Sequence, residues 1–243
     1  MKGVTGVLIC IPAYGQSVTA QTMESVCRTT RWLTRFGIRN ELTWFSGADI
    51  VEVRNLFLTS WYDCCEESHL LFVDADMGFA PKLVEDMLEF RKPLTGCFYS
   101  RRQPVPSIVG AALDPEHKTA DIVKGFLRAS HIGGGVMLIA RELVTTMLAT
   151  MPDVIDTLPP VLAKATNLPL FRLIRAFDPI RDGTRRLSED VSFCQRWRDC
   201  GGEIWANVHH RISHVGPFDY AIRYEGIMAG NEDAKAKQEA AAA

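Results

Sequence analysis

The chain has 243 residues, 47% hydrophobic and 23% charged, enough to bury one substantial core, which fits one domain or one domain plus an appendage. Its formal net charge of -2 gives no global basic field, so nucleic acid is not an expected partner. No apolar run reaches the roughly 18 residues of a membrane span, and MKGVTGVLICIPAYG lacks a signal-peptide layout, so any membrane association is peripheral.

Along the chain, GVLICIP (6–12) reads as a short buried strand ended by proline. Residues 16–36 carry Val18, Met23, Val26, Trp32 and Leu33 at helical spacing, with Gly37 closing the helix. ELTWFS is a second strand, 51–62 a helix and HLLFV (69–73) a third strand. Residues 81–91 form a helix with proline in its first turn, and LTGCFYS (94–100) a strand. Residues 110–126 read as a β-hairpin, 133–140 as a strand leaving a glycine run, and 141–150 as a helix. The proline-rich stretch 151–186 differs in texture; its run LPLFRLIRAFDPIRDGTRR alternates arginines 172, 175, 181, 185 and 186 with Leu, Ile and Phe. It fits a mobile or amphipathic acceptor-side lid, a patch for a lipid-linked or anionic acceptor, or a packed helix with solvated arginines. A helix (188–200), the strand EIWANV and the loop HHRISHVGPFDY follow, and 231–243 is a low-complexity, disordered tail. The seven cysteines form an odd, irregular set in mostly apolar or helical contexts, which reads as reduced thiols in a cytoplasmic protein, at the inner face of the membrane if it meets one. Strands and helices alternate through the first half, which predicts an α/β fold with a mostly parallel, Rossmann-like central sheet flanked by helices; the later half is a smaller mixed part.

The chemistry gathers where strands end. HLLFV runs into Asp74-Ala75-Asp76, at the carboxyl end of a strand where open α/β sheets bind ligands. In extended chain both aspartates point the same way and can share Mg²⁺ or Mn²⁺, completed by substrate phosphates and water. The other reading is a turn whose aspartates cap backbone amides. IPAYG places Pro12, Ala13 and Tyr14 at the same edge. Asp49 and Arg54 follow strand two: Asp49 could accept from a base or ribose, or simply start a helix, and Arg54 could pair with a diphosphate. His214, in SHVG, could supply a nitrogen ligand. Gly134 and Gly135 would let the main chain approach a sugar, or form an ordinary turn. Arg101 and Arg102 could meet phosphate or stay solvated.

The ordered set IPAYG, FVDADMGF, GGGVMLIARE, LSEDVSFCQRWRDCG and SHVG resembles the GT-A glycosyltransferases, especially their family-2-like and Anp1-like group. The resemblance covers roughly residues 4–220 and implies one GT-A catalytic domain over 1–230, with a nucleotide-binding half (1–100) and an acceptor-binding half (101–230). It implies that Asp76 holds the metal, that Asp74 contacts the donor ribose or the metal through water, and that His214 is the C-terminal metal ligand, with His209 and His210 as substitutes. Pro12, Ala13, Tyr14, Asp49, Arg54 and Ala75 would line the donor pocket, with Arg101, Gly134 and Gly135 beside it. LSEDVSFC looks like the x-E-D element that opens a helix below the acceptor, making Asp190 the catalytic base and Glu189 the orienting carboxylate. Ser188 is a good N-cap, and the helix dipole favours negative charge in the first turn. QRWRD is too compressed a version of Q-x-x-R-W to imply processive synthesis. The implied reaction moves a sugar from a nucleoside-diphosphate donor, with UDP favoured over GDP, to a saccharide or lipid-linked hydroxyl. The rivals are a nucleotidyltransferase of sugar phosphates, which would need a glycine-rich loop where IPAYGQS stands, and a non-catalytic nucleotide- or carbohydrate-binding module.

Overall fold

The computed structural model describes residues 3–103, 107–118, 121–160 and 169–225. Strand β1 (Gly6–Pro12) is buried along its length. Its alternate residues feed opposite faces: Leu8 and Cys10 enter one apolar layer, and Val7, Ile9 and Ile11 the other. β3 (His69–Val73) divides the same way, Leu70 and Phe72 against Leu71 and Val73. Both strands read as unbroken apolar runs because helices cover each face. Helices α1 (Ala20–Arg35) and α3 (Pro81–Phe90) close one layer through Val26, Leu33, Leu83 and Met87. Helices α2 (Ile50–Cys64), α4 (Arg141–Thr150) and α5 (Glu189–Asp199) close the other through Phe57, Trp61, Val144 and Phe193. Each such side chain, fully buried, contributes roughly 2 kcal/mol of transfer free energy.

Among the described residues the central sheet has eight strands, in the order β2 (Arg39–Phe45), β1, β3, β10 (Val136–Ala140), β5 (Leu94–Cys97), β15 (Ile204–Asn207), β9 (Phe126–His131) and β8 (Ala111–Ala112). β10 and β9 run against the other six, so the expected mostly parallel, helix-flanked sheet is present.

Several boundaries differ from the sequence reading. α1 begins at Ala20, not residue 16: Gly15 and Gln16 sit at φ 67° and 58°, and Thr19 caps the helix by accepting from Thr22 N. LTGCFYS breaks at Phe98: β5 stays in the sheet, while β6 (Tyr99–Ser100) pairs with β7 (Ile108–Val109). The supposed loop 209–220 contains β16 (Ile212–Val215), paired on one side with β17 (Asp219–Ile222) and on the other with β4 (Met77–Gly78). From 169 to 186 the run read as amphipathic is short strands and turns rather than helix, and residues 161–168 lie outside the described residues. β11 (Ile155–Thr157) pairs with β12 (Arg172–Ile174), and β13 (Arg181–Asp182) with β14 (Arg185–Arg186). Leu173, Ile174, Ala176 and Phe177 are buried there. The tail 231–243 lies outside the described residues, and no described helix is long and apolar enough to cross a membrane.

His69 opens β3, at the opposite end from the aspartates, with Nδ1 2.9 Å from Ser68 Oγ. Burial takes its pKa from the ordinary 6.5 to about 4. The folded state therefore resists a proton that the unfolded chain accepts. This contribution is intact above pH 6.5 and is lost as pH falls toward 4, by up to roughly 3 kcal/mol. Urea unfolding at pH 7 and pH 4.5 should show His69→Gln losing clearly less stability than the wild type between the two. Equal losses would refute the assignment.

Candidate active site

Strand order reverses about β1, and the loops beyond β1, β2 and β3 meet at that switch point, where α/β sheets bind ligands. Ala13 N donates to Phe45 O at 2.9 Å, and Thr19 N to Ala75 O at 2.8 Å, tying the three loops into one rim. Of the rim residues expected to hold a nucleotide, Pro12 and Ala13 are buried and Ala75 is half-buried. Tyr14 stands 75% exposed. Asp49 is exposed and caps α2, accepting from Val51 N at 2.9 Å.

The two aspartates do not share a direction. Met77 N donates to Asp74 O at 3.2 Å, closing a turn over 74–77 that rotates their side chains apart. Asp74 faces Arg54, whose Nη2 donates to Oδ1 at 2.7 Å. Asp76 Oδ2 instead meets Arg102 Nη1 at 2.9 Å and lies 3.5 Å from His214 Nε2. The register of β16 against β4 sets His214 across from Met77, and Val215 N donates to Asp76 O at 2.7 Å. Of the three histidines considered, His214 is therefore the one beside Asp76; His209 bonds Glu225, and His210 bonds Asp86.

His214 Nδ1 lies 2.8 Å from the Ser100 carbonyl, which can only accept, so Nδ1 carries the proton. In the neutral ring Nε2 then turns its lone pair toward Asp76, the second bond that orients many metal-binding histidines. An oxygen and an imidazole nitrogen of this kind fit Mn²⁺ or Mg²⁺. Among the described residues no group of three or more His, Cys, Asp and Glu converges, so these two side chains would supply only part of a coordination shell.

Arg54, read as a diphosphate partner, is 1% exposed. Besides Asp74 it donates from Nη1 to Gly134 O at 3.2 Å, and its Nε points at Glu189 Oε1 from 3.7 Å without a hydrogen bond. The Phe72 and Phe177 rings lie 5.2 and 6.0 Å from its Cζ. Burial works against its charge, but Asp74, then Glu189 and Asp190, more than reverse this and hold the guanidinium protonated more firmly than usual. It joins the end of β3 to the start of α5, 115 positions apart by the difference 189 − 74.

The glycine run, read as backbone for a sugar, is buried, and side chains close over it. A Cβ on Gly133 would lie 2.3 Å from Tyr99 Oη, one on Gly135 2.8 Å from it, and one on Gly134 2.4 Å from Arg54 Nη2. Tyr99 Oη accepts from Gly135 N at 3.1 Å. Gly134→Ala should therefore push on a buried ion pair rather than on a ligand, lowering stability by about 1–3 kcal/mol in a denaturant titration. A neutral outcome would mean that Arg54 has room to yield.

Glu189 and Asp190 open α5 as expected, but Ser188 does not cap with its side chain. Its hydroxyl donates to Asp190 Oδ1, which also accepts from Val191 N at 2.8 Å. Burial raises the Glu189 pKa, Arg54 opposes the rise and Asp190 adds to it. Gln195 to Trp197 serve packing: Arg196 donates to the Ala176 and Asp178 carbonyls, and Trp197 Nε1 to Glu203 O. Of the two arginines beyond β6, Arg101 is exposed while Arg102 reaches Asp76. Sequence reasoning missed two site residues: Tyr99, buried under the glycine run, and His131, at the end of β9 within electrostatic reach of Asp190. Only their place at strand ends could have marked them.

No protein-family model and no curated protein matches this sequence. Among solved structures, A197 from STIV aligns over 90% of this chain and 91% of its own, at 13% identity and a TM-score of 0.50. GalNAc-T7, solved with UDP, GalNAc and Mn²⁺, aligns over 88% of this chain at 11% identity and a TM-score of 0.51, this chain spanning 44% of that protein's length. A mutant Drosophila β1,4-galactosyltransferase 7, in complex with manganese, UDP-Gal and xylobiose, covers 85% of this chain and 71% of its own, at 12% identity and a TM-score of 0.42. At such identities the likeness reaches the fold, and the fold is that of the GT-A glycosyltransferases.

Proposed function

We infer that the protein is a divalent-metal-dependent glycosyltransferase that moves a sugar from a nucleoside diphosphate, UDP by preference, to a hydroxyl acceptor. One observation carries the reading: Asp76 Oδ2 and His214 Nε2 stand 3.5 Å apart at the switch point, with the imidazole oriented by Nδ1, 2.8 Å from the Ser100 carbonyl. The UDP and Mn²⁺ in the GalNAc-T7 structure support the choice of ligands, and the order of the motifs favours a family-2-like or Anp1-like enzyme within the fold.

In this reading residues 1–100 hold the donor, with Tyr14 and Asp49 offering their exposed side chains to the nucleoside. Asp76 and His214 would hold Mn²⁺ or Mg²⁺, which when bound supplies Lewis-acid stabilisation of the departing diphosphate. Arg54 does not touch phosphate; it fixes Asp74 and faces Glu189, so the donor and acceptor sides keep their spacing. Asp190 takes two hydrogen bonds on Oδ1, which leaves Oδ2 to accept the proton of the acceptor hydroxyl. Glu189 orients hydroxyls beside it.

A thermal-shift panel of nucleoside diphosphates and their sugars, with and without Mn²⁺, tests the reading, because a ligand of the native state raises Tm by mass action. The expected result is a metal-dependent rise with UDP, followed by slow release of UDP from a UDP-sugar. Release of pyrophosphate from a nucleoside triphosphate would instead mark a nucleotidyltransferase, and binding without turnover on any acceptor a non-catalytic module.

A further inference from the structure

The two aspartates beyond β3 each meet an arginine, and the two arginines differ in freedom. Arg54 is shut in: it donates to Asp74 and Gly134, and its Nε faces Glu189. Arg102 has a side chain 49% exposed, and Asp76 is its one ion-pair partner among the described residues. Its Nη1 stands 2.9 Å from Asp76 Oδ2, the same oxygen that lies 3.5 Å from His214 Nε2. In the glycosyltransferase reading this is the oxygen that would hold the metal, so the guanidinium and the metal compete for it. A half-solvated ion pair contributes little to folding, which leaves the arginine easy to displace.

The surroundings of Arg102 fit a side chain that moves. Its stem passes over Gly216, where a Cβ would lie 3.1 Å from Arg102 Cδ and 3.6 Å from Cγ, so the glycine keeps the path of the stem open. His214 is held independently of Arg102. Its Nδ1 lies 2.8 Å from the Ser100 carbonyl, and its ring meets Tyr99 edge-on with centroids 5.3 Å apart. Tyr99 and Ser100 are the β6 pair just ahead of Arg102 in the chain. Release of Arg102 thus takes the counter-ion from Asp76 but leaves the imidazole aimed.

Position also decides where a released guanidinium can go. In the glycosyltransferase reading the donor's diphosphate lies against the cation that Asp76 and His214 hold. Phosphate oxygens are then the strongest acceptors beside Asp76, and a guanidinium fork matches them two at a time.

We propose that Arg102 is a stand-in cation: it neutralises Asp76 while the metal is absent and passes to the donor's diphosphate once metal and nucleotide arrive. The charge that balances Asp76 then becomes a contact to the leaving group. The proposal rests on the glycosyltransferase reading for the identity of both ligands.

Isothermal titration compares the wild type with Arg102→Met, first with Mn²⁺ alone and then with UDP at saturating Mn²⁺. Mn²⁺ alone should bind about two- to fivefold tighter to the variant, the reach of a half-exposed pair. UDP should bind about tenfold weaker to it, the loss of a charged hydrogen-bond donor. Removing a positive charge would by itself push both affinities this way, so the side chain is also followed directly in protein labelled with ¹⁵N-arginine. The Arg102 Nε–H signal, assigned by its absence from Arg102→Met, should move toward that of solvated arginines with Mg²⁺ and to a third position with Mg²⁺ and UDP. A signal unmoved by Mg²⁺, or equal Mn²⁺ affinity in the two proteins, overturns the proposal and leaves the metal reading intact. UDP binding that needs Arg102 but no metal would make the guanidinium a permanent substitute for the cation, and overturns it too. No Mn²⁺ binding by either protein, with or without UDP, removes the metal reading and the proposal together. Should Arg102→Met fail to fold, Arg102→Gln serves in the same comparison.

Discussion

Asp76→Asn is expected to abolish the Mn²⁺-dependent rise in Tm with UDP and to cut UDP-sugar hydrolysis by about a hundredfold or more, the scale on which losing one electrostatic stabiliser of a leaving group is felt. The same substitution should leave the metal-free protein nearly as stable as the wild type. Its partner Arg102 is 49% exposed, and half-solvated pairs of this kind contribute only about 0–1 kcal/mol. Asn keeps the shape of the turn, and the Asp76 carbonyl still accepts from Val215 N. Asp74→Asn should behave in the opposite way. Its carboxylate answers a buried guanidinium, so its loss lowers metal-free stability by about 2 kcal/mol or more while direct metal affinity falls less. Isothermal titration with Mn²⁺ and UDP, set beside urea unfolding of both variants, separates the two. If Asp76→Asn bound Mn²⁺ and UDP as tightly as the wild type, the metal would not be at this carboxylate.

That contrast marks where the sequence stops being legible. Strands β1 and β3, helices α2 to α5 and the placing of Asp74, Asp76, Glu189 and Asp190 at element ends can all be read locally, because apolar period and terminal polar residues are short-range signals. The turn over 74–77 could not be read that way. Two aspartates in a D-x-D look equivalent until β4 pairs with β16, and a two-residue strand leaves no periodicity. Arg54 was legible as a cation near a strand end, but not as a buried one. Its burial depends on Phe72, Phe177, Gly134 and Glu189, all but Phe72 more than 75 positions away along the chain. The glycine run announced close approach correctly; that the approach is by Tyr99 and Arg54 required the packed structure.

Arg54→Met should be the most destabilising single change in the site. Methionine roughly fills the volume, but it leaves the Asp74 and Glu189 carboxylates facing an apolar floor without their cation. Removing one partner of a buried ion pair costs about 3–5 kcal/mol, equivalent in a chain of this length to a fall in Tm on the order of 10 °C. Arg54→Lys should recover only part of this, because one ammonium cannot serve Asp74 and the Gly134 carbonyl while also facing Glu189. The origin of the loss can be checked by neutralising the orphaned acids: Arg54→Met/Asp74→Asn/Glu189→Gln should regain a substantial part of it, against the usual rule that destabilising changes accumulate. The pH dependence has a definite sign. Burial already raises the Glu189 pKa in the intact protein, and without Arg54 the rise is larger, so the variant loses stability as pH climbs above the ordinary glutamate range and regains it on acidification. Urea titrations of the wild type and Arg54→Met at pH 5 and pH 8 should therefore show the gap between them widening at the higher pH. A gap that stays constant, or a single variant within 1 kcal/mol of the wild type, would mean that solvent reaches these carboxylates and that no buried cation joins the two halves of the site.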